Sequence, residues 1–241
     1  MRINQYIAHA GITSRRKAEE LIKNGKVKVN GIKMIDLSYQ VKSEDVVHVN
    51  GQAIFEEEKV YYLLNKPRGM ISSVSDEKNR KTVLDLFSSV SERIYPVGRL
   101  DWDTSGLLLL TNDGDFANLM MHPSHQIEKV YIAKVEGQAN KINLRPLTLG
   151  MKIEGQKISP ARYKIIKTEA KKNASIVELT IHEGQNHQVK KMFEAVGLPV
   201  IKLSRIKIGS LTLDSVDSGQ WRELKKKEVD ELKKEATNKD T

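Results

Sequence analysis

The chain has 241 residues, 39% of them apolar, and a formal net charge of +9 at pH 7. That is enough for one medium domain and a small one, with a surface that attracts polyanions, nucleic acid first among them. The absence of cysteine excludes disulfides, thiolate zinc sites and a cysteine nucleophile.

The first 50 residues read as a small unit. Ile3, Ile7 and Ala10 share one helical face, which Gly11 breaks. Ser14 is placed to cap a second helix over Arg15 to Lys23, ended by Asn24-Gly25. Lys26 to Val29 alternates as a strand does, Asn30-Gly31 signals a hairpin, and Asp45 to Val49 reads as a closing strand. Three cations, Arg15, Arg16 and Lys17, crowd the first helical turn, where the macrodipole and free N–H groups favour anions. A docked phosphate makes sense of that cost; a solvated basic face does so too, since salt screens the penalty.

A polar stretch, Glu56 to Lys59, separates this unit from a larger one. Strands are expected at Val60 to Leu64, Leu107 to Thr111, Val130 to Val135 and Ile176 to His182, and a helix at Phe116 to Met121. Val189, Met192, Phe193 and Val196 fall at i, i+3, i+4 and i+7, which predicts a helix over Gln188 to Val196, stopped by Gly197. The remainder reads as short strands and turns with a loose charged tail at residues 233–241. Few long helices and many short strands indicate an α+β fold on a mixed, largely antiparallel sheet. No apolar run approaches the roughly 20 residues that span a bilayer. The start, MRINQYIAHAG, has no apolar stretch of signal-peptide length. A cytoplasmic protein with no membrane partner is expected.

The densest signal is Gly98-Arg99-Leu100-Asp101-Trp102-Asp103-Thr104-Ser105-Gly106, leading into Leu107 to Thr111 and Asn112. Asp101, Asp103, Ser105 and Gly106 match the start of a calcium-binding EF-hand loop, but Asn112 stands where its bidentate Glu should be. Asp103 is read instead as a turn residue whose carboxylate bonds only the backbone. His122, His182 and His187 form no metal pattern, HExxH is absent, and so are the GxxxxGK[ST] and GxGxxG phosphate loops.

The first unit, through Gly11, Ser14-Arg15-Arg16, Ala18, Leu21-Ile22, Gly25, Val27, Val29-Asn30-Gly31 and Asp45, resembles the S4 RNA-binding domain. The segment from Gly98 to Asn112 resembles the active-site motif of the RsuA/RluB-type pseudouridine synthases. Further segments resemble that family in order: Lys66-Pro67-Arg68-Gly69, Met121-His122-Pro123, Glu128-Lys129-Val130-Tyr131, Glu183-Gly184 through Met192, and Leu203-Ser204-Arg205 through Gly209. The resemblance implies an S4 domain of two helices and a hairpin at residues 1–55 and a synthase domain at residues 59–232. It further implies an isomerase acting on a uridine of ribosomal RNA as a monomer, without metal or cofactor.

The resemblance also assigns roles. Asp101 is the catalytic carboxylate, which attacks the nucleoside or promotes glycosidic cleavage. Tyr131 is the active-site tyrosine, although a tyrosine in a strand core has the same sequence appearance. Lys190 stands where the family usually has arginine, keeping the charge but losing the planar fork; Lys191 is a neighbouring candidate for that role, and an ion pair of Lys190 with Glu194 is the plain alternative. Leu203 packs beneath the base or is simply core. Arg99 fills the space left by an extruded nucleotide. Arg15, Arg16, Lys17, Lys26 and Lys28 are the expected phosphate contacts of the S4 unit. The overall pattern resembles the large-subunit (23S) enzymes more, whereas Asn186 to Lys190 resembles the small-subunit (16S) type. A non-catalytic ribosome-assembly factor fits the charge and the first unit equally, but has no need of Arg99-Leu100-Asp101, Tyr131 and Lys190 together.

Overall fold

A computed structural model describes residues 1–237. The chain forms two compact units, one of residues 1–60 and 89–94, the other of residues 61–88 and 95 onward.

In the smaller unit, α1 (Ile3–His9) and α2 (Arg15–Lys23) accompany a sheet of β1 (Val27–Val29), β2 (Ile32–Lys33), β3 (Val47–Val49) and β4 (Gln52–Ile54). The sheet is antiparallel in the order β2-β1-β3-β4. The helix faces supply Ile3, Ile7, Ala18 and Ile22 to a core completed by Val27, Val29, Val47, Val49 and Ile54. Ser14 caps α2 by accepting from the Lys17 amide. Asn30 and Gly31 both have positive φ, at 51° and 81°, the geometry a two-residue hairpin demands. The Asn30 side chain then ties the hairpin to the next strand, donating to Asp45 at 2.8 Å and accepting from the Val46 amide at 2.9 Å. Asp45 also accepts from the Tyr39 hydroxyl and the Lys42 amide. Its carboxyl is held below the usual range, first by the Lys42 amide. Residues 89–94 join this unit where the Glu57 carboxylate accepts from the Arg93 amide.

The larger unit is a mixed sheet with flanking helices. In chain order its elements are β5 (Tyr61–Lys66), β6 (Tyr95–Val97), β7 (Thr104–Thr111), α3 (Gly114–Met121), β8 (Lys129–Glu136), α4 (Lys141–Leu149), β9 (Met151–Ile153), β10 (Gln156–Ile158), β11 (Arg162–Glu169), β12 (Ala174–Ile181), α5 (Gln188–Ala195), β13 (Val200–Ile208), β14 (Leu211–Thr212), β15 (Trp221–Glu223) and α6 (Lys226–Thr237). The main sheet runs β11-β12-β8-β13-β7-β5-β15, with β14 on β13 and β6 on β7. Among the described strands only β13 and β7 pair in parallel. The rest of the sheet is antiparallel, so the α+β expectation stands.

Leu107, Leu108, Leu109 and Leu110 are all at most 1% exposed, so both faces of β7 are covered. This explains a continuous apolar run where a half-buried strand would alternate. On one face Leu63, Leu107 and Leu109 pack with Phe116 and Met120 of α3 and Leu232 of α6. Elsewhere Tyr62, Phe87 and Trp221 form an aromatic cluster with centroids 4.8–5.5 Å apart.

One reading of the sequence is corrected, and one helix was not expected from it. Residues 233–237 are not loose: they complete α6, whose Val229, Leu232 and Ala236 are buried. Charged residues between them mask that face. The part of the expected tail at residues 238–241 lies outside the described residues. Helix α4 was not foreseen, because Pro146 inside it reads as a breaker. Asn140 starts the helix by accepting from the Ile142 and Asn143 amides.

Candidate active site

The parallel pairing of β7 and β13 sets the site. Leu203, Ser204 and Arg205 lie opposite Thr104, Ser105 and Gly106. The strands approach so closely at Gly106 that a Cβ there would stand 2.1 Å from the Arg205 carbonyl oxygen. At φ +109° the position requires glycine on conformational grounds as well. On the other side of β13, Arg205 lies opposite Tyr131 of β8. The turn before β7, the second half of β13, the start of β8 and the entry of α5 therefore surround one cavity of about 360 Å³.

Asp101 sits in the turn that enters β7, and its backbone is fixed from several sides. The Asp101 carbonyl accepts from the Thr104 amide at 3.0 Å. Ser72 brackets the preceding residue, its hydroxyl donating to the Leu100 carbonyl at 2.9 Å and accepting from the Leu100 amide at 3.1 Å. Beneath the turn Lys66 is wholly buried. Its ammonium donates to the carbonyls of Pro67, Asp101 and Thr104 at 3.1, 3.1 and 2.9 Å. Burial pushes its pKa down to about 8, against the pull of Asp101 and Asp103.

The Asp101 carboxylate faces two side chains of the α5 entry. Lys190 Nζ is 2.9 Å from Oδ2 and His187 Nε2 is 3.3 Å from Oδ1. Lys190 also reaches Asp103 Oδ1 at 2.6 Å, which corrects the reading of Asp103 as a residue that bonds only the turn backbone. Burial opposes the charge on Lys190, but its bonds to Asp103 and Asp101 outweigh this and hold its pKa above the usual lysine value. The same bond from Lys190 holds the Asp103 carboxyl low. Lys191 points elsewhere, to Glu154 at 2.6 Å. The geometry thus selects Lys190 as the neighbour of Asp101 and gives its ammonium to two aspartates rather than to Glu194.

Tyr131 and Leu203 are buried and line the same cavity, as do Asp101, Lys190 and the exposed Arg99. The Tyr131 hydroxyl accepts from Arg205 Nη1 at 3.3 Å, and the guanidinium carbon lies 5.9 Å from the ring centroid. Arg205 is itself buried and also donates from Nε to the Leu107 carbonyl at 2.8 Å. Lys129 lines the cavity too, and burial, reinforced by Arg205, pushes its pKa down to about 8. Arg15, Arg16, Lys17, Lys26 and Lys28 are all exposed on the smaller unit. There Lys28 lies between Lys33 and His48 across the sheet. Among the described residues, no group of three or more His, Asp or Glu is placed to hold a metal ion.

Lys66, Ser72, His187 and Arg205 had no assigned role in the sequence reading. Two carried a signal. Lys66 ends an apolar strand and Arg205 sits inside one, where a cation persists only if it is paired or well hydrogen-bonded.

The model of the RNA pseudouridylate synthase family matches residues 60–195, and that of the S4 domain matches residues 1–47. The chain belongs to the RNA pseudouridylate synthase family. The synthase carries an S4 domain ahead of its catalytic unit. It is 53% identical to the ribosomal large subunit pseudouridine synthase B of Bacillus subtilis, over 96% of this chain and 95% of that one. It is 41% identical to an uncharacterized RNA pseudouridine synthase of Aquifex aeolicus, over 96% and 93% of the two chains. A crystal structure of a pseudouridylate synthase superimposes with a TM-score of 0.69 at 32% identity, covering 96% of this chain and 99% of the other.

Proposed function

We propose that this synthase isomerises a uridine of large-subunit (23S) ribosomal RNA, with Asp101 as the reacting carboxylate. The observation that carries the reading is the Asp101 carboxylate at a cavity wall, 2.9 Å from the Lys190 ammonium and 3.3 Å from His187. The Lys190 ammonium supplies a counter-charge to a carboxylate that acts as a nucleophile. The 53% identity to a large-subunit synthase across nearly the whole chain supports the choice of subunit.

In this reading the uridine leaves its stack and enters the cavity, because neither C1′ nor C5 is free to react within one. The carboxylate engages C1′ or C6, and the N1–C1′ bond breaks. The uracil turns and C5 bonds to C1′, and the carboxylate is released from the carbon it engaged. One proton leaves C5 and one is gained at N1, so atoms and electrons balance without an oxidant or energy donor. Tyr131 accepts a hydrogen bond from Arg205, which leaves its own proton free for transfer. Its ring and Leu203 supply the apolar floor for the base. Arg99 occupies the gap left by the extruded nucleotide. The exposed cations of the S4 domain grip the RNA by phosphate and shape. On this reading the synthase works as a monomer, and its ribosomal RNA substrate makes the cytoplasm the place of work.

The test is to incubate the purified chain with unmodified 23S and 16S rRNA transcripts and map the pseudouridines formed. A single modified position in 23S is expected. Modification only in 16S overturns the choice of subunit, and none in either overturns the reading.

A further inference from the structure

We propose that Trp102 is the stacking platform of a second nucleotide subsite, which takes the base next to the target uridine. This rests on the reading of Asp101 as the reacting carboxylate. A second cavity, of about 640 Å³, lies beside the first and shares Arg99, Leu100, Asp101, His187 and Lys190 with it. It continues over Trp102 to Ser73 and Arg80. Trp102 is 48% exposed, although large aromatic side chains are normally mostly buried. The chain's other tryptophan, Trp221, is stacked on Phe87 and donates to the Leu86 carbonyl.

The exposed indole is not on a mobile tip. It occupies the turn whose Asp101 carbonyl is bonded to Thr104 and Lys66, and its own carbonyl accepts from the Gly69 amide at 2.8 Å. A stiff aromatic one residue from the reacting carboxylate holds a neighbouring base at little entropic cost. Base–aromatic stacking is also tolerant of sequence. The charges agree with a nucleic-acid occupant. The Asp76 carboxylate in this groove is taken by Arg80 at 2.7 Å, and Asp103 by Lys190. Arg99, exposed between the two cavities, puts its cation beside the phosphate that joins the two nucleotides while it fills the extruded nucleotide's gap.

The test uses the full chain and an unmodified 23S rRNA transcript, with Trp102→Ala, Trp102→Phe and Trp221→Phe variants. In Trp221→Phe the remaining Trp102 fluorescence, excited at the red edge, should be quenched on RNA addition; in Trp102→Phe the quenching should vanish. In single-turnover pseudouridine formation, Trp102→Ala should raise the half-saturating RNA concentration about tenfold, with the maximal rate changed less than threefold and Trp102→Phe close to wild type. Unquenched Trp102, or unchanged half-saturation in Trp102→Ala alongside an active wild type, overturns the subsite. An inactive wild type refutes the functional reading instead, which the quenching measurement does not depend on.

Discussion

The two units use the same residue types in opposite ways. In the S4 domain the cations Arg15, Arg16, Lys17, Lys26 and Lys28 are exposed around a wholly apolar core. In the synthase unit Lys66 and Arg205 are buried, and Lys190 is shared between two aspartates. Exposed charge is mobile, screened and suited to many phosphates at once. Buried charge is held by fixed partners, three carbonyls for Lys66 and the Leu107 carbonyl and Tyr131 hydroxyl for Arg205, and it fixes those partners in return. On the proposed reading the contrast separates gripping from chemistry, and substitutions in the two units should therefore fail differently.

The largest effect is expected at Lys66. Lys66→Met removes the donor shared by the Pro67, Asp101 and Thr104 carbonyls, of which the Asp101 carbonyl keeps the Thr104 amide, and should cost about 3 kcal/mol in stability, read as a lowered denaturant midpoint, and should abolish activity with it. Full stability in that variant would mean that the ammonium does not hold the turn. At Lys190, loss of the charge should act on rate rather than on folding. Lys190→Ala is expected to lower the maximal rate about a hundredfold, with Lys190→Arg restoring most of it, in single-turnover assays. The S4 cations should behave in the opposite sense. Replacing Arg15, Arg16 and Lys17 together by Gln should weaken RNA binding about tenfold and flatten its salt dependence by about one unit of slope for each phosphate no longer neutralised. The maximal rate should be preserved; a fall in that rate would erase the distinction between the units.

The smallest effect is one of pH. The folded-state pKa of Lys66, about 8, is below its ordinary value of 10.5. Between the two the native state has released a proton that the unfolded chain retains, so this group's contribution to stability rises with pH over that window. Over the same range the turn loses a charge-assisted bond, and the rate should fall a few-fold with a midpoint near 8. Lys129 has a similar value, so the profile of Lys129→Met separates the two: persistence of the limb assigns it to Lys66, and its disappearance contradicts that assignment.

Much of the scaffold was legible because local signals agreed with the fold. The Asn30-Gly31 hairpin, the Ser14 cap and the i, i+3, i+4 spacing of Val189, Met192 and Phe193 all formed as their chemistry directs. The neighbourhood of Asp101 was only partly legible. Lys190 could be named, but its choice over Lys191 depends on the direction in which α5 enters the site. His187 was considered only as a metal ligand. Lys66 carried a signal as a cation ending an apolar strand, but what it and Ser72 hold could not be seen, since their partners are backbone groups 28 positions away for Ser72 and up to 38 for Lys66, and backbone groups leave no trace in a sequence pattern. Helix α6 was hidden by the charged residues between Val229, Leu232 and Ala236, and α4 by Pro146.

Asp101→Asn tests the central claim most directly, because it removes the charge while keeping the shape of the side chain. Pseudouridine formation and filter binding should be measured on the same 23S transcript with wild type and variant. The predicted result is a loss of product formation on the order of a thousandfold or more, with RNA affinity unchanged within about threefold. Product formed by the variant at the wild-type rate would contradict the account.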